Sequence, residues 1–110
     1  MVVFSGNKPL VLKECGYPTG PALQNSPASQ VVFFEALFSV WDQHHDRIPY
    51  LVISRMFDGV RSNCEKQAKD YNWPGEAFIQ LLCTLGLRTV DDRAKPAWST
   101  LVQSATARKF

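Results

Sequence analysis

The chain has 110 residues, 45% of them hydrophobic and 20% charged, a composition that fits one folded domain and excludes a disordered or fibrous segment. Its net charge of +2 comes from Lys and Arg spread over the whole length, so the basic patch of a nucleic-acid binder is absent. No apolar stretch approaches the roughly 18 to 20 residues of a membrane span, and the interrupted apolar runs of residues 1–14 are too short for a signal peptide.

Residues 9–13 (PLVLK) form a short apolar run bounded by turn residues, as in a buried strand. The run ends at Glu14 and a Gly/Pro-rich segment, residues 15–21, where the chain must turn. Ser26-Pro27 predicts a helix start: the Ser hydroxyl can cap free N–H groups, and Pro suits a first position that needs no N–H. From Gln30 to His44 the apolar residues Phe33, Leu37, Val40 and Trp41 recur at helical spacing, and Phe34 and Phe38 widen the stripe. Pro49 ends that segment. Residues 50–57 (YLVISRMF) are the second strand candidate, continuously apolar at first, which suits a parallel strand covered on both faces. Asp58-Gly59 is a turn, and residues 61–72 are polar, an irregular excursion or a short helix. Residues 77–85 predict a short helix closed by Gly86, and Pro96 opens a last helix with Trp98, Leu101 and Val102 as its apolar side.

Strand, helix, strand, helix, helix is the expected order, with the two strands parallel in a right-handed βαβ unit. A two-stranded parallel sheet leaves both edges open, so neighbouring strands from elsewhere are expected. The cysteines Cys15, Cys64 and Cys83 match no zinc or redox spacing, and their odd number leaves a thiol free. Buried, idle thiols are the simplest expectation, and a Cys64–Cys83 bridge stays open beside it. His44-His45 suggests a solvated helix end rather than a metal site, because adjacent helical residues do not face one point. Trp73 and Trp98 are expected to be packing residues, and no cofactor is called for.

One stretch carries chemistry. Lys8-Pro9-Leu10-Val11-Leu12-Lys13-Glu14-Cys15-Gly16-Tyr17-Pro18 resembles the seventh strand of retaining (β/α)₈-barrel glycoside hydrolases, the clan of cellulases, β-mannanases and β-1,3-glucanases. Their pattern is Lys-Pro, aliphatics, then Glu-x-Gly-aromatic-Pro. A second stretch, Leu85-Gly86-Leu87-Arg88, Asp91-Asp92 and Ala94-Lys95-Pro96-Ala97-Trp98, is similar to the end of such barrels. The resemblance covers about residues 8–105. It implies an α/β fold, a partial TIM barrel: a βαβα unit corresponding to the seventh and eighth strands with extra C-terminal helices. Residues 1–110 would be a single domain, the C-terminal portion of a glycosidase-like whole.

The resemblance also implies roles. Glu14 takes the place of the catalytic nucleophile, at a strand end where such barrels keep their active sites. Tyr17, Phe57 and Asp58 are the implied sugar contacts. The family's eighth strand often carries a Trp that stacks on the sugar; residues 53–57 contain none, and Phe57, Arg55 or Met56 stands there instead. A retaining mechanism needs a second carboxyl group about 5 to 5.5 Å from the nucleophile. In the family it comes from the fourth strand, which has no counterpart here, so the chain alone is expected to be inactive. The implied partners are β-linked glycan and either further copies of the chain or a complementing barrel fragment. The alternative is a non-catalytic self-assembling or carbohydrate-binding protein of the same ancestry. The implied family is mostly secreted; the chain itself does not fix a compartment.

Overall fold

A computed structural model describes residues 6–108. The N-terminal stretch weighed above as a leader lies partly outside them. Strand β1 (Val11–Cys15) follows Pro9 and gives way to the Gly/Pro segment, which makes a short 3-10 turn at Pro21–Leu23. Helix α1 (Pro27–His44) begins as expected: the Ser26 hydroxyl accepts from the Ser29 N–H at 3.1 Å, and the Ser29 hydroxyl accepts from the Ser26 N–H at 2.8 Å. This reciprocal pair satisfies donors that the first helical turn leaves open. At the other end the His44 carbonyl accepts from the N–H groups of Arg47 and Ile48, and Pro49 stops further helix.

Strand β2 (Tyr50–Ile53) is half the length expected. Helices α2 (Arg61–Asp70), α3 (Glu76–Cys83) and α4 (Pro96–Thr106) follow. The polar stretch 61–72 is therefore mostly helix, its sparse apolar side reduced to Cys64 and Ala68. Pro96 opens α4 at its first turn.

The strands pair in parallel, Val11 with Tyr50, Leu12 with Leu51 and Cys15 with Ile53. Two residues of β1 lie between the last pairs and one of β2, so β1 bulges at Lys13-Glu14. Two apolar cores form, the first of them against the ribbon. The first holds Phe34, Leu87 and Ala97, with Ile53, Trp98 and Leu101 against them, and joins α1, β2 and α4. The second holds Cys64, Ala68 and Ile79 between α2 and α3, and a Cys64–Cys83 disulfide crosses it. The bridge left open by the sequence is thus present, and Cys15 is the free thiol.

The expected partial TIM barrel does not form. Among the described residues the sheet stops at two strands, and the chain is a small α/β unit with four α-helices and one parallel ribbon. The reason lies at the ends of the strands. Beyond Cys15 and Ile53 neither strand has a ladder partner, so residues 54–57 leave the sheet and Phe57 makes an isolated bridge with Arg88. Helices α2 and α3 bury their apolar sides on each other instead of layering on a sheet.

A polar knot ties the two cores together. Lys95, only 8% exposed, donates from Nζ to Asp58 Oδ1 at 2.7 Å, to the Thr84 carbonyl at 3.2 Å and to Thr19 Oγ1 at 3.2 Å. Asp58 Oδ1 also accepts from the Gly86 N–H at 2.9 Å. Gly86 is needed there because a Cβ would overlap the Phe57–Asp58 backbone. Beside the knot, the fully buried Gln30 donates from Nε2 to the carbonyls of Tyr17 and Gly86, both at 3.0 Å.

Candidate functional site

Ligands of parallel sheets gather at the carboxyl ends of the strands, where loops diverge. Here those ends open on a cleft of about 430 Å³ lined by Glu14, Ser54, Arg55, Gln67, Leu82 and Leu85. The size falls within the range of small-molecule sites, roughly 300 to 1,000 Å³. Strand β1 contributes Glu14, the exit of β2 contributes Ser54 and Arg55, and α2 and α3 supply the wall through Gln67 and Leu82.

Glu14 has a backbone φ of 56°, in the left-handed region that a glutamate seldom occupies. The bulge of β1 causes it: the extra residue is turned out of the ladder and the side chain is re-aimed toward the cleft. Among the described residues no hydrogen bond or ion pair ties down its carboxylate. Backbone outliers of this sort persist where the surroundings hold them, and they concentrate at functional sites.

Two neighbours complete the floor. Ser54 Oγ is buried without a hydrogen-bond partner. It lies against the Cα of Gly16, where any side chain would overlap the hydroxyl, so the Gly of the Glu-x-Gly pattern makes room for Ser54. The Cys15 thiol is half-buried, and loss of hydration there raises its pKa, partly offset by a hydrogen bond with the Val52 backbone. A thiol held protonated is a poor nucleophile.

The structure does not bring the other expected contacts to Glu14. Asp58 is held in the knot by Lys95 and the Gly86 N–H. Tyr17 stacks on Phe33 at 5.3 Å and donates its hydroxyl to Asn25 Oδ1 at 3.0 Å. Phe57 is exposed at the bridge with Arg88, and none of the three lines the cleft. Gln67 escaped the sequence reading because nothing local marks one Gln in a polar helix. The orphaned hydroxyl of Ser54 depends on the approach of Gly16, a tertiary fact.

A second pocket of about 290 Å³ lies on another face of α3, lined by Leu23, Trp73, Ala77, Phe78 and Leu81. Trp73, expected to be a packing residue, stacks on Phe78 at 5.4 Å and remains 66% exposed. Trp98 does pack, half-buried beneath the Arg88 guanidinium at 5.0 Å. The Trp73 pocket offers almost no polar lining, so it lacks the donors and acceptors that orient a hydroxylated ligand.

Among the described residues no cluster of three His, Cys, Asp or Glu side chains is placed to hold a metal ion, and no helix is long and apolar enough to cross a membrane. No family model matches the chain, and neither a curated protein nor a solved structure is significantly similar to it.

Proposed function

We propose that the chain is a glycan-binding protein of retaining-glycosidase ancestry, in which the Glu14 cleft holds a β-linked sugar without hydrolysing it. The observation that carries this is Glu14 itself: an unpaired carboxylate, held in a left-handed bulge at a strand end and lining a polar cleft. A carboxylate accepts strongly from paired sugar hydroxyls, and Gln67 adds a donor and an acceptor beside it. The likeness of the segment around Glu14 to a glycosidase nucleophile strand supports the choice of sugar as ligand. Hydrolysis is not expected, because Glu14 is the one carboxylate among the residues lining the cleft and a retaining mechanism needs two.

Calorimetric titration of the pure chain with cellotetraose tests this reading. Binding is expected, and Glu14→Gln should weaken it about tenfold by removing charge-assisted hydrogen bonds. Absence of binding refutes a neutral β-glycan as the ligand. Turnover of an aryl β-glycoside that disappears in Glu14→Gln refutes the non-catalytic part.

The partner reading has its own observation. Val11, Tyr50 and Val52 are exposed on the ribbon, whereas parallel sheets are normally covered on both faces. The radius of gyration of 15.4 Å exceeds the about 13 Å of a compact chain this long, which fits an incomplete surface. A second copy is the proposed cover, as self-association through this face needs no other gene product. Sedimentation of a stable monomer at micromolar concentration would sink it.

A further inference from the structure

The arginines divide in a way that bears on the ligand. Arg61, Arg88, Arg93 and Arg108 each pair with a carboxylate, and Arg47 reaches the Lys8 carbonyl. Arg55 makes neither an ion pair nor a hydrogen bond among the described residues, although it lines the cleft together with the unpaired Glu14. It stands between that cleft and a smaller apolar pocket lined by Ile53, Met56, Leu87, Trp98 and Leu101. Its methylene stem therefore has apolar surface to lie on, while its guanidinium has no protein partner.

We propose that the cleft takes an acidic sugar, a pyranose bearing a carboxylate, with Arg55 binding the carboxylate and Glu14 accepting from ring hydroxyls. The inference rests on the glycan reading above and names the class of sugar. A guanidinium presents a planar fork that matches a carboxylate through two parallel hydrogen bonds. A phosphate monoester fits less well, since it carries about −1.5 to −2 charges at neutral pH and Glu14 on the same cleft repels the more highly charged group. One carboxylate beside several hydroxyls satisfies both residues at once. Gln67 on the cleft wall gives a further ligand hydroxyl a polar contact.

Two isosteric probes isolate the carboxylate: cellotetraose, and the β-1,4-linked tetraglucuronate that differs from it by oxidation at C6. In calorimetric titrations of the full chain at low salt, the acidic probe is expected to bind about tenfold tighter, with a preference that shrinks as salt is added. Arg55→Met should abolish the preference, so that the two probes bind alike; Arg55→Lys should keep part of it. Both variants are expected to melt as the parent does, because Arg55 makes no hydrogen bond or ion pair among the described residues and Met and Lys keep its apolar stem. Equal binding of the two probes, or weaker binding of the acidic one, overturns the proposal and leaves the glycan reading intact. A preference that survives in Arg55→Met overturns the assignment to Arg55. Failure of both probes to bind overturns the proposal and the glycan reading together.

Discussion

Glu14 holds a left-handed backbone that costs an L-residue about 1 to 2 kcal/mol. Glycine carries no such penalty, although it loses more freedom on folding. Glu14→Gly should therefore raise stability slightly, by about 0.5 kcal/mol in chemical denaturation, while sugar binding is lost. A site held under strain for function gives this opposition of stability and binding. Clear destabilisation by Glu14→Gly would show that the side chain supports the fold instead. The sequence marked this residue through its Glu-x-Gly-Tyr-Pro setting. It could not mark the positive φ, which arises only when β1 pairs with β2 out of step. Nor could it tell that Asp58, the other strand-end carboxylate, is committed to Lys95.

At the scale of elements, the Ser26-Pro27 start of α1 was legible because capping is local chemistry. The buried side of α1 was not. Gln30, Phe34 and Phe38 are buried, whereas Val40 is exposed and Phe33, Leu37 and Trp41 are half-buried. Two rows at helical spacing compete on that helix, and only the placement of α4 and Gly86 selects the row that includes a glutamine. In α4 likewise Ala97 is the buried residue and Val102 is exposed. The α2–α3 pair depends on a bridge between cysteines 19 residues apart. Closing a loop of that size stabilises by about 3 kcal/mol in the chain-entropy account. Replacing both cysteines with serine should lower stability by about that amount, read as a shift of the denaturation midpoint. Alkylation followed by mass spectrometry should label Cys15 alone before reduction, and slowly, since burial raises its pKa. Because Gln67 and Leu82 belong to these two helices, loss of the bridge also loosens one wall of the cleft.

The whole molecule rests on a polar connection between two small cores. Asp58, Lys95, Thr19, Thr84 and the Gly86 N–H form it, and each side chain comes from a different segment. Lys95→Met would leave the largely buried Asp58 carboxylate without its ion partner and with the Gly86 N–H alone, a change that costs up to about 3 kcal/mol. Domains of this size are stable by only about 5 to 15 kcal/mol, so the variant should lose a large share of its stability and melt at a clearly lower temperature in circular dichroism. A melting temperature unchanged from the parent would show that the knot is dispensable. The Lys-Pro-Ala-Trp segment was visible in the sequence as a helix entrance, but its lysine showed no sign of being buried. The barrel expectation failed at this scale for a related reason. Local patterns identify a parallel strand pair; they do not supply the strands that a closed sheet requires, and here the ribbon ends after two.

Amide chemical shifts of the ¹⁵N-labelled chain during titration with cellotetraose show whether the Glu14 cleft binds sugar. The largest shifts are expected at Glu14, Cys15, Ser54, Arg55 and Gln67, with saturation by about 5 mM ligand. An unchanged spectrum, or shifts confined to Tyr71, Trp73 and Phe78 on the other face of α3, would contradict the account.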